Sequence, residues 1–179
     1  MQPDNRSMGR KNLLEFFGEY YTTQSECLIF DDGYRRWSYS YAQVARAARI
    51  FAARLQAAHI GTGEKIILWS ESRPEWLFAF WGCLLAGVVV VPIGGEATTE
   101  FIRKVQSIVE ARVIVAGDEP RVESNLGGPI WRLTAEDWNR TAPDVVSPDT
   151  QRNDCAEIMF TSGSTADHRP EEGCIERIG

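Results

Sequence analysis

The stretch Trp76–Ile93, WLFAFWGCLLAGVVVVPI, runs for eighteen residues without a charge, and it constrains the fold more than any other part of the chain. A run of that length raises the question of a membrane-spanning helix. Its internal punctuation gives a different solution. Arg73-Pro74-Glu75 leads into it, with Pro suited to a first helical turn and Glu facing the positive end of the helix dipole. Gly87 then interrupts the run, and the valines that follow are β-branched up to Pro92, as expected of a strand buried on both faces. The pattern predicts a buried helix followed by a buried parallel strand. Neither piece can span a bilayer.

The flanking sequence repeats this alternation. CLIFDDGYRRWSYS (Cys27–Ser40) reads as a hairpin of two short apolar strands about Asp31-Asp32-Gly33. Ser40 and Gln43 form a capping box for a long helix. Its apolar face is Val44, Ala48, Phe51, Leu55 and Ala58, with Arg46, Arg49 and Arg54 off that line. The helix is expected to stop near Gly61, where Gly63 prolongs the break. KIILW follows as a strand, residues 99–110 as an amphipathic helix, and RVIVA as a further strand. Strand, helix, strand, helix, strand predicts an α/β chain of βαβ units, with a parallel sheet covered by helices and right-handed crossovers. Between Gly117 and Asp154 the signal weakens. There PIWRL suggests a strand and TAEDW a turn of helix.

Composition narrows the function. The net charge of −6 argues against nucleic-acid or anionic-membrane binding, which need a basic face. Cys27, Cys83, Cys155 and Cys174 form no Cys-x-x-Cys pair, and with only His59 and His168 beside them no metal site is legible. Isolated thiols and a polar start, MQPDNRSMGRKN, point to a cytoplasmic protein without a signal peptide. His59 sits at a helix end, where a cation is favourable, and does not read as a general base.

The segment that carries chemistry is AEIMF followed by TSGST, a short apolar strand running into Thr161, Ser162, Gly163, Ser164 and Thr165. Glycine permits positive φ, so successive backbone N–H groups can point inward around a phosphate while hydroxyls add donors. Taken alone, such a cluster is weak evidence, since Ser/Gly/Thr clusters usually are plain solvated turns. It is not the P-loop pattern, because no Gly-Lys-[Ser/Thr] closes it.

The order of motifs adds weight. From WSYSYAQVARAARIF through GTGEK, SRPEW, LLAG and VVVVP to FTSGST, the chain resembles the N-terminal part of the adenylate-forming (AMP-binding) superfamily, over roughly residues 25–165. Arg73-Pro74-Glu75-Trp76 looks most like the long-chain fatty acid–CoA ligases among them. The resemblance implies an incomplete N-terminal domain of an adenylate-forming enzyme, divided into an extension with a helix (1–24), a partial AMP-binding domain (25–165) and an aberrant tail (166–179). It also implies a reaction. A carboxylate oxygen attacks the α-phosphate of Mg-ATP and expels pyrophosphate, and coenzyme A thiolate then displaces AMP to give a thioester. Thr161, Ser162, Gly163, Ser164 and Thr165 would hold the β- and γ-phosphates by prearranged donors, without proton transfer. ATP, magnesium, a carboxylic acid and coenzyme A are the ligands so implied.

After Thr165 the pattern departs. Ala166, His168, Arg169 and Pro170 stand where the family has Gly, Pro, Lys and Gly. Ala166 adds a Cβ, Pro170 removes an N–H, and Arg169 is a planar fork in place of an ammonium. The polar EEGCIERIG has neither the apolar strand nor the helix that the family resemblance implies should carry the loop. A truncated ligase inactive on its own, with a frameshift just after Thr165, is the expectation. The alternatives are a non-catalytic module binding a nucleotide or a protein, and an enzyme completed by a separately encoded part.

Overall fold

Three helices close over a four-stranded parallel sheet in the computed structural model, which describes residues 13–118, 126–151, 153–160 and 173–174, with backbone alone at Phe16, Gly173 and Cys174. A short helix α1 (Leu13–Gly18) precedes the hairpin of β1 (Glu26–Asp31) and β2 (Arg36–Ser40). The turn forms because the Asp31 and Asp32 carboxylates accept from the N–H groups of Gly33, Tyr34 and Arg35, and Gly33 takes the positive φ.

Helix α2 (Tyr41–Ala57) starts at the expected capping box. Gln43 N–H donates to Ser40 Oγ at 3.3 Å, and Ser40 N–H donates to Gln43 Oε1 at 2.7 Å. It ends before Gly61, and Ala58, expected on the apolar face, is the exposed C-cap. The cause is His59, which turns left-handed at φ 55°. Ile60 N–H then reaches back to Leu55 O at 2.9 Å and His59 N–H to Gln56 O at 3.0 Å, a Schellman closure with Ile60 and Leu55 both in the core.

The uncharged run divides as its punctuation predicts. Helix α3 (Pro74–Leu85) ends at Gly87, φ 70°, and β4 (Val89–Gly94) follows. β3 (Lys65–Ser70), β4, β5 (Val113–Ala116) and β6 (Ile130–Arg132) are parallel in the order β4-β3-β5-β6. Alternate residues of β3 feed two separate cores. Ile66 and Leu68 pack with α2 and α3, while Ile67 and Trp69 pack with α4 (Thr99–Val109). The β3-to-β4 and β4-to-β5 crossovers run in opposite directions on opposite faces, so they share one hand, as expected of such units. Among the described residues no helix is long and apolar enough to cross a membrane.

The weakly patterned region is more organised than its sequence suggests. After β6 comes a 3-10 turn, Leu133–Ala135, where a helical turn was expected, and Trp138 closes it by donating Nε1–H to Leu133 O at 3.0 Å. The arginines of α2 are also more than a solvated face. Arg54 lies 4.1 Å from the Trp131 ring centroid and pairs with Glu136 at 3.1 Å, and Arg49 lies 5.8 Å from the Tyr21 ring.

Candidate nucleotide-phosphate site

The strand expected to carry the loop is short and lies at the margin of the sheet. β7 (Ile158–Met159) continues from a parallel bridge between Glu157 and Val90, where Val90 N–H donates to Ala156 O at 3.0 Å. Ile158 and Phe160 anchor it against the α4-side core that contains Trp69, Val91 and Ile93. Because β7 runs parallel to β4, residue 160 lies toward the carboxyl edge of the sheet, where β3 ends at Ser70 and β5 at Ala116. In parallel α/β sheets that edge is where ligands bind. Thr161, Ser162, Gly163, Ser164 and Thr165 themselves lie outside the described residues, as do Ala166, His168, Arg169 and Pro170.

Two residues of the tail pair with β7: β8 (Gly173–Cys174) runs antiparallel to it, Ile158 opposite Cys174 and Met159 opposite Gly173. A polar sequence can do this because ladder pairing needs main-chain N–H and C=O groups in register and no apolar run.

Sequence reasoning missed the polar cluster at the middle of the same edge. The connections leaving β3 and β5 travel in opposite directions, which makes the gap between their carboxyl ends the topological switch point. Arg73, at the N-cap of α3, closes it. Its Nη1 lies 2.8 Å from Glu71 Oε1 and 2.9 Å from Asp118 Oδ2, and its Nε lies 2.8 Å from Glu75 Oε2. Burial opposes the Arg73 charge, but the three carboxylates outweigh it and raise its pKa further. The hydrogen bond from Arg73 holds the Asp118 carboxyl below its ordinary range. For Glu71, burial works upward, and the N–H groups of Glu71 and Asp118 with Arg73 overcome it, so the carboxyl is held low. Arg132 Nη1 completes the edge by donating to Gly117 O at 2.6 Å. Packing here is tight: a Cβ on Gly117 would stand 2.4 Å from Ser70 Oγ, and one on Gly95 2.8 Å from the Glu71 N. The glycines at these positions were the only sequence signal for that close approach.

Three carboxylates on one arginine leave the cluster net negative, so it repels an anion. It organises the edge without being a phosphate site. Trp69 Nε1 is buried with no hydrogen-bond partner, on the side of the sheet that receives Phe160. Among the described residues no group of three or more His, Cys, Asp or Glu side chains could hold a metal ion.

A family model for AMP-binding enzymes matches residues 20–168, from just after α1 through Thr161 to Thr165. The chain belongs to the AMP-binding enzyme family. Members of this family with known names share modest identity with it. The L-proline–[L-prolyl-carrier protein] ligase of Pseudomonas fluorescens is 28% identical over 138 residues, covering 70% of this chain and 28% of that protein. The 4-coumarate–CoA ligase 3 of Oryza sativa subsp. japonica is 33% identical over 89 residues, covering 50% of this chain and 16% of that protein. Among solved structures, the fatty acyl-adenylate ligase from L. pneumophila, in complex with acyl adenylate and pyrophosphate, superposes with a TM-score of 0.77 at 23% identity, over 90% of this chain and 30% of that one. The Klebsiella oxytoca NpsA N-terminal subdomain gives 0.74 at 24% identity, over 86% of this chain and 39% of that one. These structures establish the fold, that of the N-terminal subdomain of adenylate-forming enzymes. The chain thus spans well under half the length of these relatives. Their names cover amino-acid, aryl and fatty acyl substrates, so the family is established and the fatty-acid branch is not singled out.

Proposed function

We propose that this chain supplies the phosphate-holding part of an ATP-dependent, carboxylate-activating site. In this reading residues 25–165 form the partial AMP-binding domain and residues 166–179 the divergent tail. Thr161, Ser162, Gly163, Ser164 and Thr165 would wrap the β- and γ-phosphates of Mg-ATP, the nucleotide being substrate with its magnesium. The loop's backbone N–H groups and hydroxyls would neutralise charge on the departing pyrophosphate while a carboxylate attacks the α-phosphate. The carboxylic acid is of the fatty class, a choice supported by Arg73-Pro74-Glu75-Trp76, and coenzyme A is the acceptor. The protein acts in the cytoplasm. The observation that carries the reading is the family match through residue 168 together with a loop-bearing strand aligned with β4.

The same reading makes the chain inactive by itself, since it spans 30% of the length of the acyl-adenylate-bound relative. A few neutral donors exposed to water should hold Mg-ATP at millimolar strength or weaker, a few kcal/mol of binding. Titration calorimetry with Mg-ATP and with pyrophosphate tests this, beside pyrophosphate release with a panel of fatty and aryl acids. The expected result is weak binding reduced further by Ser162→Ala and Thr165→Ala, with no turnover. Binding indifferent to both substitutions would remove the loop from the site. Micromolar affinity with turnover would show a complete enzyme. The departures at Ala166, Arg169 and Pro170 favour a second reading, a non-catalytic nucleotide- or protein-binding module. That reading predicts no turnover even when the rest of an adenylate-forming domain is fused on.

A further inference from the structure

The crossover from β6 to β7 must traverse the whole sheet, from one margin to the other, and it does so without a helix. After the 3-10 turn, residues 136–148 pack against α2 and the end of α3, and the chain lies beside β4 at Ala156. Loops of this length without regular structure are uncommon in compact domains and tend to be functional.

Its contacts are regular. Trp138 stacks on Phe51 with ring centroids 6.0 Å apart and meets Phe78 at 5.5 Å. Arg54 pairs with Glu136, and Arg46 Nη2 reaches Asn139 Oδ1 at 3.4 Å. Beyond these, Ala142, Val145 and Pro148 are partly buried while residues 141, 143, 144, 146, 147 and 149 are exposed. That spacing of three matches the turn of a polyproline II segment with one face on the protein. Gln56 Nε2 donates to Val146 O at 2.7 Å, and Pro148 fits against Gly87, where its Cγ lies 2.7 Å from where a Cβ would be. Eight residues later Ala156 O accepts from Val90, and the loop-bearing strand begins.

We propose that residues 136–148 are a strap, pinned on α2 and α3 by Trp138, Val145 and Pro148, whose anchoring sets the position of β7 and therefore of the loop that follows. Among the described residues β7 has few attachments: a two-residue pairing with β8, a bridge to β4 and the side chains of Ile158 and Phe160. A strand so thinly held takes its position from the chain that delivers it. Trp138 and Gln56 are positioning residues here. Only the functional meaning of the strap rests on the phosphate-loop reading; its mechanical role does not.

β4 contains its own internal reference for a test. Val90 N–H donates to Ala156 O, toward β7, whereas Val89 N–H donates to Glu64 O, at the start of β3. Amide exchange in the full chain, followed by NMR without nucleotide, separates the two sides of one strand. In a Gln56→Ala, Pro148→Ala double variant, which leaves the aromatic core intact, Val90 should exchange about tenfold faster while Val89 changes less than about twofold, the signature of local rather than global opening. Trp138→Leu should give the same split, more strongly. Unchanged Val90 exchange in both variants would overturn the strap. So would Val89 and Val90 accelerating together, which would make the segment ordinary core. Because no nucleotide is present, neither outcome depends on whether the loop binds phosphate.

Discussion

The centre of the parallel sheet and its loop-bearing margin are held by different means. At the centre, β3 is covered on both faces and paired on both sides, and Arg73 ties the ends of β3 and β5 to α3 through three carboxylates. At the margin, β7 offers a bridge, a two-residue pairing with β8 and a half-buried Glu157. The frame is thus held more firmly than the strand that leads to the loop. Local stability in proteins is distributed in just this way, with ligand loops at the weakly held end.

The most damaging change should therefore fall where α2 and α3 cross over the centre. A Cβ at Gly82 would stand 2.8 Å from both Ala48 O and Phe51 Cβ, so a side chain there forces backbone apart. Gly82→Val should cost about 3 kcal/mol by overpacking. Gly82→Ala should cost about 2 kcal/mol, because better helix propensity returns up to ~1 kcal/mol. Urea denaturation measures both. Tolerance of valine would mean the two helices are not fixed at this contact.

Next comes the ion cluster. Arg73→Met leaves Glu71, Glu75 and Asp118 crowded without a cation. Breaking a fully buried pair costs about 3–5 kcal/mol, but Asp118 is largely exposed to water, so about 2 kcal/mol is expected. Arg73→Lys should recover only part, since one ammonium cannot reproduce the fork that reaches three acids. The acid side follows with the same sign. Glu71 and Asp118 have lowered folded pKa values, so their contribution is fully present above about pH 5 and is lost as pH falls below ~4. Wild type should lose stability in that range more steeply than Arg73→Met. Parallel pH profiles would remove the cluster from the energetics.

Much of the centre was legible in the sequence, and so was the strand at the margin, where AEIMF carries β7. Gly87, Pro74 and the valine run announced α3 and β4 because punctuation and β-branching act locally. Ser40 and Gln43 announced the start of α2 for the same reason. The end of α2 was misjudged because His59 takes a left-handed turn usually given to glycine, and the closure depends on Ile60 meeting the core. Arg73 was read as a residue before a helix. Its partner Asp118 is 45 positions away, and no periodicity encodes such a pair. The strap was unreadable because its partly buried residues, Ala142, Val145 and Pro148, recur every third position, a period of neither 3.6 nor 2. The loop residues Thr161 to Thr165 were legible as a motif, and β7 explains only how the chain reaches them.

The smallest effect belongs to the margin and should have the opposite pH sign. Burial pushes the Glu157 carboxyl above its ordinary range, and among the described residues no cation or hydrogen bond offsets it. A raised folded pKa means that Glu157 stabilises docking when protonated, below its unfolded pKa of about 4.3, and that this contribution disappears as pH rises through the folded value. At neutral pH the ionised side chain therefore works against the seating of β7 on β4. Glu157→Gln removes the charge and keeps the shape, so it should stabilise the margin at pH 7 by about 0.5 kcal/mol, the group being too solvated for more. At pH 4 the gain should shrink toward zero, whereas the cluster at the centre is losing its stabilisation there. The Val90 amide reports the first effect and the Val89 amide the control. If Glu157→Gln slows Val90 exchange at pH 7 and the difference narrows at pH 4, the centre and the margin of the sheet respond to acid in opposite senses. Equal exchange in the variant and wild type at pH 7 would mean that the carboxylate is hydrated at no cost, and the contrast would then rest on the strap alone.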